Sequence, residues 1–437
     1  MRIYNTLSRS IEEFSPLNPP SVGFYSCGPT VYDYQHIGHM RRYVGDDLLI
    51  RILKSKKFEI HHVMNITDVG HLVSDADDGE DKMEKGAKKF GMSVWDIAKK
   101  FEAQFKDSCR LLQINLPKDL MHATDYIEEQ IDLVKNLEEK GFTYKTADGI
   151  YFDTSKFPDY FKLSRQNPEE LIGGARVSLG DKKNITDFAL WKFSPGDEKR
   201  QMEWESPWGI GFPGWHIECA AMSIKALGQS FDVHTGGIDH INIHHTNEIA
   251  EAEAETGKPF VKYWIHHAFL TVEGQKMSKS LGNTYTVEDI VKKGFDPLAL
   301  RYLYLQVHYR QEMNFTWEAL DGAQIALNKL RKHYQQSMAG EVKIPSGFID
   351  AINEDMNIPK ALSIVWENVS SLSKDTFNKI DKILGIGLAD YKEKEIPAEV
   401  EKLLQEREEL RKQKKYHLAD QIRAKIIKMG YKVEDKD

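Results

Sequence analysis

Apolar and polar positions along the chain follow two periods. The run Val22 to Tyr25 has strand character, and Val44, Leu48 and Ile52 then recur at helical spacing, so the chain begins strand, turn with Gly and Pro, helix. Phe58 to Asp68 is a second apolar stretch closing in a polar turn, which predicts a parallel β-α-β start. Met92 to Leu112 and Thr124 to Lys140 mix apolar and charged residues at helical spacing, and Cys109 falls on the apolar face, a core position. From about 121 to 205 the alternation of strand and helix breaks, at Ile150-Tyr-Phe-Asp153, Asn167-Pro168 and Gly173-Gly174, which reads as an inserted subdomain. Pro213-Gly-Trp-His opens another helix, and the next runs from about His244 to Glu255. An amphipathic helix extends through Tyr334, and a tail helix sets Leu418, Ile422, Ile426 and Met429 on one face.

The candidate chemistry sits at the joints of this pattern. The first turn reads Cys27-Gly-Pro-Thr-Val-Tyr-Asp-Tyr-Gln-His36-Ile-Gly38-His39. Unpaired N–H groups at a helix start attract an anion, Gly38 lets a nucleotide approach the backbone, and the His36 and His39 imidazoles flank it. About 240 residues later Lys276-Met-Ser278-Lys279-Ser280 lies in a glycine-flanked polar stretch, a loop whose charges and hydroxyls suit a polyphosphate. Cys27, Cys219, His244 and Glu248 together offer two thiolates, an imidazole and a carboxylate, with the last two four apart on one helix face. Those donors suit zinc, yet without a Cys-x-x-Cys pair the spacing alone fits buried thiols and a helix-surface pair at least as well. Asp75-Ala-Asp-Asp-Gly-Glu-Asp81 is no calcium loop: its glycine comes one place early and position twelve is Gly86.

Composition narrows the partners. The 437 residues carry 41% hydrophobic and 29% charged side chains and allow about three domains. No apolar run approaches the roughly 18 residues of a membrane span, and three cysteines, Cys27, Cys109 and Cys219, make no disulfide framework, so a soluble cytoplasmic protein without membrane contact is expected. The net charge of -8 argues against indiscriminate nucleic-acid binding. Between Arg411 and Lys432, however, eight Lys or Arg stand against Asp420 alone, a surface suited either to RNA or simply to solvent.

His36-Ile-Gly-His39 with Lys276-Met-Ser-Lys-Ser280 resembles the paired signatures of class I aminoacyl-tRNA synthetases. Within that class the chain is most similar to the cysteinyl-tRNA synthetases, through Cys27-Gly-Pro-Thr-Val-Tyr-Asp, Phe188-Ala-Leu-Trp-Lys192, Pro213-Gly-Trp-His-Ile-Glu-Cys219, His244-His-Thr-Asn-Glu248 and the stretch Phe348 to Pro359. The resemblance implies an α/β fold: a Rossmann-type parallel-sheet catalytic domain (1–120 and 206–255) with an inserted connective subdomain (121–205). The Lys-Met-Ser-Lys-Ser loop and stem-contact region (256–315), an α-helical bundle (316–390) and a tRNA-contacting segment (391–437) would follow. It implies one zinc ion on Cys27, Cys219, His244 and Glu248, and a cysteine pocket with Trp215 as a wall and Thr67, His234 and Asp239 as polar groups. ATP, with Mg2+, would meet His36, Gly38, His39, Lys276, Ser278 and Lys279; the catalytic set is His36, His39, Lys276 and Lys279, with Lys279 foremost. The expected reaction joins L-cysteine to tRNA(Cys) through a cysteinyl-adenylate, in a monomer.

The chain departs from the family wording in places. Thr235-Gly-Gly replaces a run of three glycines, Ile243 stands where proline is common, and the usual closing strand with tryptophan and arginine does not follow Glu434-Asp435. Two other readings share the motifs: a cysteine ligase with an amino-sugar acceptor, as in mycothiol synthesis, and an inactive RNA-binding relative. The basic tail and bundle favour tRNA over the first, and the intact histidines, lysines and ligand positions oppose the second.

Overall fold

The computed structural model of the chain describes residues 1–70, 81–118, 120–167, 181–194, 200–278, 281–391 and 398–429. A hairpin of β1 (Arg2–Asn5) and β2 (Ser10–Glu13) precedes β3 (Ser21–Ser26), α1 (Ile37–Ser55) and β4 (Glu59–Ile66), the β-α-β unit expected from the apolar pattern. Two helices follow, α2 (Lys82–Phe90) and α3 (Val94–Leu111). Gly91, at φ 63°, ends the first, and the Ser93 hydroxyl caps the second by accepting from the Asp96 N–H. Strand β5 (Leu120–His122) and α4 (Ile127–Glu139) complete this part; Cys109, 1% exposed, lies in the core as anticipated.

The segment expected as an insertion supplies β6 (Thr143–Lys145), β7 (Gly149–Phe152) and β8 (Phe188–Phe193), and β9 (Gly211–Pro213) closes their antiparallel sheet. The chain then returns through α5 (Trp215–Leu227), β10 (Phe231–Gly237), α6 (His244–Thr256) and β11 (Val261–His267). The central sheet has the order β11-β10-β3-β4-β5, all parallel. Its middle strand is buried on both faces, with Phe24 and Tyr25 at 0% exposure. Because β3 leads to β4 on one side while β10 and β11 lie on the other, the strand order reverses between β3 and β10. At such a switch point the carboxyl ends of the strands leave a crevice for ligands.

A second small sheet carries the lysine loop. β12 (Leu270–Val272) turns into β13 (Gln275–Lys276) through Glu273 and Gly274, at φ 49° and 73°, the two left-handed residues of a tight hairpin. After α7 (Val287–Lys292) and α8 (Pro297–Leu305), β14 (Met313–Phe315) lies parallel to β12. Helices α9 (Trp317–Gln336), α10 (Ser346–Asn353), α11 (Ile358–Asn368) and α12 (Lys374–Leu384) form the C-terminal bundle. Helix α8 is bolted to α1 by a buried ion pair, Arg301 to Asp47 at 2.6 Å, both at 0% side-chain exposure, and Arg301 Nε also donates to Leu384 O at the end of α12, at 2.8 Å. In the tail, α13 (Ala398–Lys412) packs on α14 (Tyr416–Lys428) around Val400, Leu403 and Ile426. Of the apolar face expected there, Ile426 is buried while Leu418 and Met429 are exposed, because only the stretch facing α13 has a partner. Among the described residues no helix is long and apolar enough to cross a membrane.

Candidate active site and metal cluster

The switch point gathers side chains from four elements. Cys27 follows β3, its N–H donating to Thr235 O at 3.2 Å on β10; Cys219 projects from α5; His244 and Glu248 stand one turn apart on α6. Their donor atoms all lie within 4.8 Å of one another, and the four residues are 0–3% exposed. A tetrahedral zinc site separates its ligand atoms by about 3.5 Å, so these donors are spaced and typed for a soft divalent cation. The electrostatics agree. Burial pushes the Cys27 thiol up, and Cys27 beside it pushes Cys219 up much further, so both thiolates need a cation among them. Burial would also raise Glu248, but His234 and His244 outweigh it and hold the carboxyl at about 2.

Neighbouring imidazoles orient this cluster. His244 turns Nε2 toward Glu248 Oε1, at 3.0 Å, because its Nδ1 meets His216 Nδ1 at 2.8 Å, and Trp215 stacks on the ring with centroids 4.4 Å apart. His234 Nε2 lies 2.7 Å from Glu248 Oε2. Cys27 Sγ meets His245 Nε2 at 3.3 Å, and His245 continues through His266 to Thr6, each step 2.8 Å. Gly236 leaves room for this: a Cβ there would stand 2.5 Å from the His245 ring. The departure Thr235-Gly-Gly therefore keeps the glycine that the histidine needs.

The expected cysteine-pocket residues divide. Thr67 is buried beside the Cys27 turn, pairing with Pro29 and Val31 through its backbone, accepting from Asn65 Nδ2 at 3.1 Å and donating to Glu218 Oε2 at 2.9 Å. Trp215 and His234 touch the cluster as described. Asp239 lies instead on the turn after β10, its side chain 57% exposed and folded back over Gly237.

The turn expected to meet phosphate is built at the start of α1. His36 is the N-cap: its Nδ1 accepts from the His39 N–H at 3.3 Å, His39 Nδ1 faces the His36 N–H at 3.4 Å, and the rings stack 3.5 Å apart. With each Nδ1 accepting, the neutral rings carry their protons on Nε2, the atom that can donate to an oxyanion. Tyr285 O takes the Ile37 N–H at 2.8 Å. Met277 Cε sits over Gly38, only 2.4 Å from where a Cβ would be, so the lysine loop is seated on the turn. Asn283 staples that loop, accepting from Ser278 N–H at 2.8 Å and donating to Lys276 O at 3.2 Å. Lys276 is exposed; Lys279 and Ser280 lie outside the described residues.

A family model described as "tRNA synthetases class I (C) catalytic domain" matches residues 13–325, and one described as "Cysteinyl-tRNA ligase anticodon binding domain" matches 393–437. The chain is 47% identical to the cysteine–tRNA ligase 1 of Burkholderia lata, over 100% of this chain and 95% of that one. It is 40% identical to the cysteine–tRNA ligase of Treponema denticola, over 100% and 98%. The chain belongs to the cysteinyl-tRNA synthetase family. Solved structures of more distant synthetases share the fold of this family member. A Mycobacterium tuberculosis methionyl-tRNA synthetase complex superposes with a TM-score of 0.58 at 14% identity, covering 84% of this chain and 88% of that one. A leucyl-tRNA synthetase complex from Agrobacterium radiobacter gives 0.60 at 11%, covering 86% and 84%. For this synthetase, inspection of the sequence missed His216, His245, His266, Glu218 and Asn283. The paired histidines at 244–245 and 266–267 were the available signal, but nothing in their spacing tells a ligand from its support.

Proposed function

We propose that the buried cluster of Cys27, Cys219, His244 and Glu248 is where this synthetase, a cysteine–tRNA ligase by family, selects its amino acid. The observation that carries the reading is the meeting of two thiols, an imidazole and a carboxylate, donor atoms within 4.8 Å, at the sheet's switch point. Zinc held by these four residues would supply a soft Lewis acid that ligates a thiolate and leaves a neutral hydroxyl unligated. That distinction is needed. Cysteine and serine differ by one atom, shape alone separates such pairs by about a hundredfold, and faithful translation needs on the order of 10⁴, roughly 5.5 kcal/mol.

The chain's own residues then position the reactants. Trp215, against His244, walls the amino-acid pocket; Thr67 and His234 supply polar contacts, with Asp239 at the rim. The Nε2–H groups of His36 and His39 donate to ATP phosphates at the N-terminus of α1, while Gly38 keeps the approach open. Lys276 and Lys279, with Ser278, meet the polyphosphate of Mg-ATP. The cysteine carboxylate oxygen attacks the α-phosphorus, the bond to the bridging oxygen breaks, and diphosphate leaves. The 2'-hydroxyl of the terminal tRNA adenosine next attacks the carbonyl carbon and AMP departs. No protein nucleophile takes part, so catalysis is positioning and charge stabilisation.

The 391–437 segment is the tRNA end in this reading, supported by its match to an anticodon-binding family model and by the excess of Lys and Arg between Arg411 and Lys432. The catalytic, inserted, loop, bundle and tail divisions belong to the reading, with the parallel sheet reaching beyond the expected catalytic bounds at β5 and β11, and the protein works as a monomer in the cytoplasm, where its three buried, unpaired cysteines stay reduced. Three measurements test the reading together: zinc stoichiometry, cysteine-dependent pyrophosphate exchange and charging of tRNA(Cys). Lys279→Ala should lose exchange while keeping zinc. Exchange at the intact rate in that variant, or no charging of tRNA by the intact protein, would overturn it.

A further inference from the structure

Cys27 and Glu248 each face two ways. On one side they meet Cys219 and His244. On the other, His234 Nε2 lies 2.7 Å from Glu248 Oε2, and His245 Nε2 lies 3.3 Å from Cys27 Sγ and 3.9 Å from Glu248 Oε1. The donor atoms of Cys27, His234, His245 and Glu248 are all within 4.8 Å of one another, and both histidines are wholly buried. We propose that these four residues form a second cation site, which shares the Cys27–Glu248 edge with the first and takes the metal in its place when Cys219 or His244 is lost or chemically modified. The inference rests on the metal-binding reading given above.

Three features support it. Both histidines are already fixed in place, His245 through its Nδ1 contact with His266, itself backed by Thr6, and His234 by stacking on Trp264 at 4.7 Å. His234 Nδ1 is buried without a hydrogen-bond partner among the described residues, so the ring's polar anchoring runs through the nitrogen that faces Glu248. Charge balance lets the second set hold a dication unaided. Two thiolates and a carboxylate leave a dication one negative charge in excess, whereas one thiolate, one carboxylate and two neutral imidazoles leave none, which lowers the desolvation cost of a buried centre. The donors remain borderline-soft and suit zinc or cobalt. Because Cys27 and Glu248 serve both sets, the two positions fill one at a time.

The test uses the full-length protein, metal analysis and the absorption spectrum of its cobalt form. Cys219→Ala/His244→Gln leaves the first set with only two ligands, and the proposal expects it to retain a bound cation. Adding His234→Ala and His245→Ala should lower bound cobalt at least tenfold. His244→Gln alone should halve the thiolate-to-cobalt band, since one thiolate replaces two, and it gives the same answer should the double variant fail to melt cooperatively. Loss of the cation from a folded double variant, or an undiminished thiolate band in His244→Gln, overturns the proposal. Absence of metal from the intact protein overturns instead the reading on which it rests.

Discussion

The buried cluster and the phosphate turn differ in how they are held. Around Cys27, Cys219, His244 and Glu248 almost every donor atom has a second contact behind it, and solvent is excluded. At the start of α1, His36 and His39 cap each other in partial exposure, and the flexible Met277 side chain of the lysine loop rests on Gly38. The contrast matches the roles proposed for the two regions. Telling sulfur from oxygen requires a desolvated, rigid centre, while ATP must enter and diphosphate leave, which calls for a loop that lifts.

The contrast is broken hardest at the ligand both cation positions share. Cys27→Ala should abolish metal binding and lower cysteine-dependent pyrophosphate exchange on the order of 10⁴-fold, about 5.5 kcal/mol, without disturbing the melting transition. A metal-free variant that still activated cysteine would sever recognition from the cluster. Next is a site with the same burial and no part in the proposed chemistry. Arg301→Met leaves the buried Asp47 carboxylate with Arg51 and the Asn115 donors but without its buried cation, and should cost about 3–5 kcal/mol in denaturant unfolding. An unchanged midpoint would show that burial by itself does not make a charge pair structural here.

Smaller effects sharpen the open side. Gly38→Ala should push Met277 aside and raise KM for ATP on the order of 10-fold, about 1.4 kcal/mol, with kcat for bound substrate changed less; Met277→Ala in the same chain should recover most of it. No recovery would mean the added methyl acts on the nucleotide and not on the loop. The smallest effect is electrostatic. His122 Nε2 and Glu102 Oε2 are 3.0 Å apart on β5 and α3. The hydrogen bond to His122 holds Glu102 at about 2, below its ordinary 4.5, and the bond to Glu102 raises His122 above its ordinary 6.5. The Glu102 contribution is present above 4.5 and fades as pH falls toward 2; the His122 contribution is present below 6.5 and fades as pH rises through its elevated value. Stability from the pair therefore peaks between 4.5 and 6.5, at about 1 kcal/mol or less for a partly exposed pair, and Glu102→Gln should flatten that window in pH-dependent melts.

Much of the architecture was legible in periodicity. Val44, Leu48 and Ile52 lie on one face of α1, Phe58 to Asp68 contains β4, and the helix expected from His244 to about Glu255 runs to Thr256. These elements follow local patterns, because a helix or strand buries whichever side chains recur at its own period. The four proposed ligands were also legible, through motif wording. Spacing alone left them open, since Cys27 and Cys219 are far apart in the chain.

What only the tertiary structure decided is the state of each polar group. The sequence displays His234, His244, His245 and His266 alike, yet the first two face Glu248, the third backs Cys27 and the last orients its neighbour. Asp239, expected in the pocket by resemblance, is 57% exposed on the turn after β10, an exposure that no spacing displays. Asp47 finds its partner Arg301 on a helix 254 residues away. Local order is written in the spacing of neighbours along the chain. The charge, tautomer and role of a buried group are set by what the fold brings against it, and no periodicity carries that information.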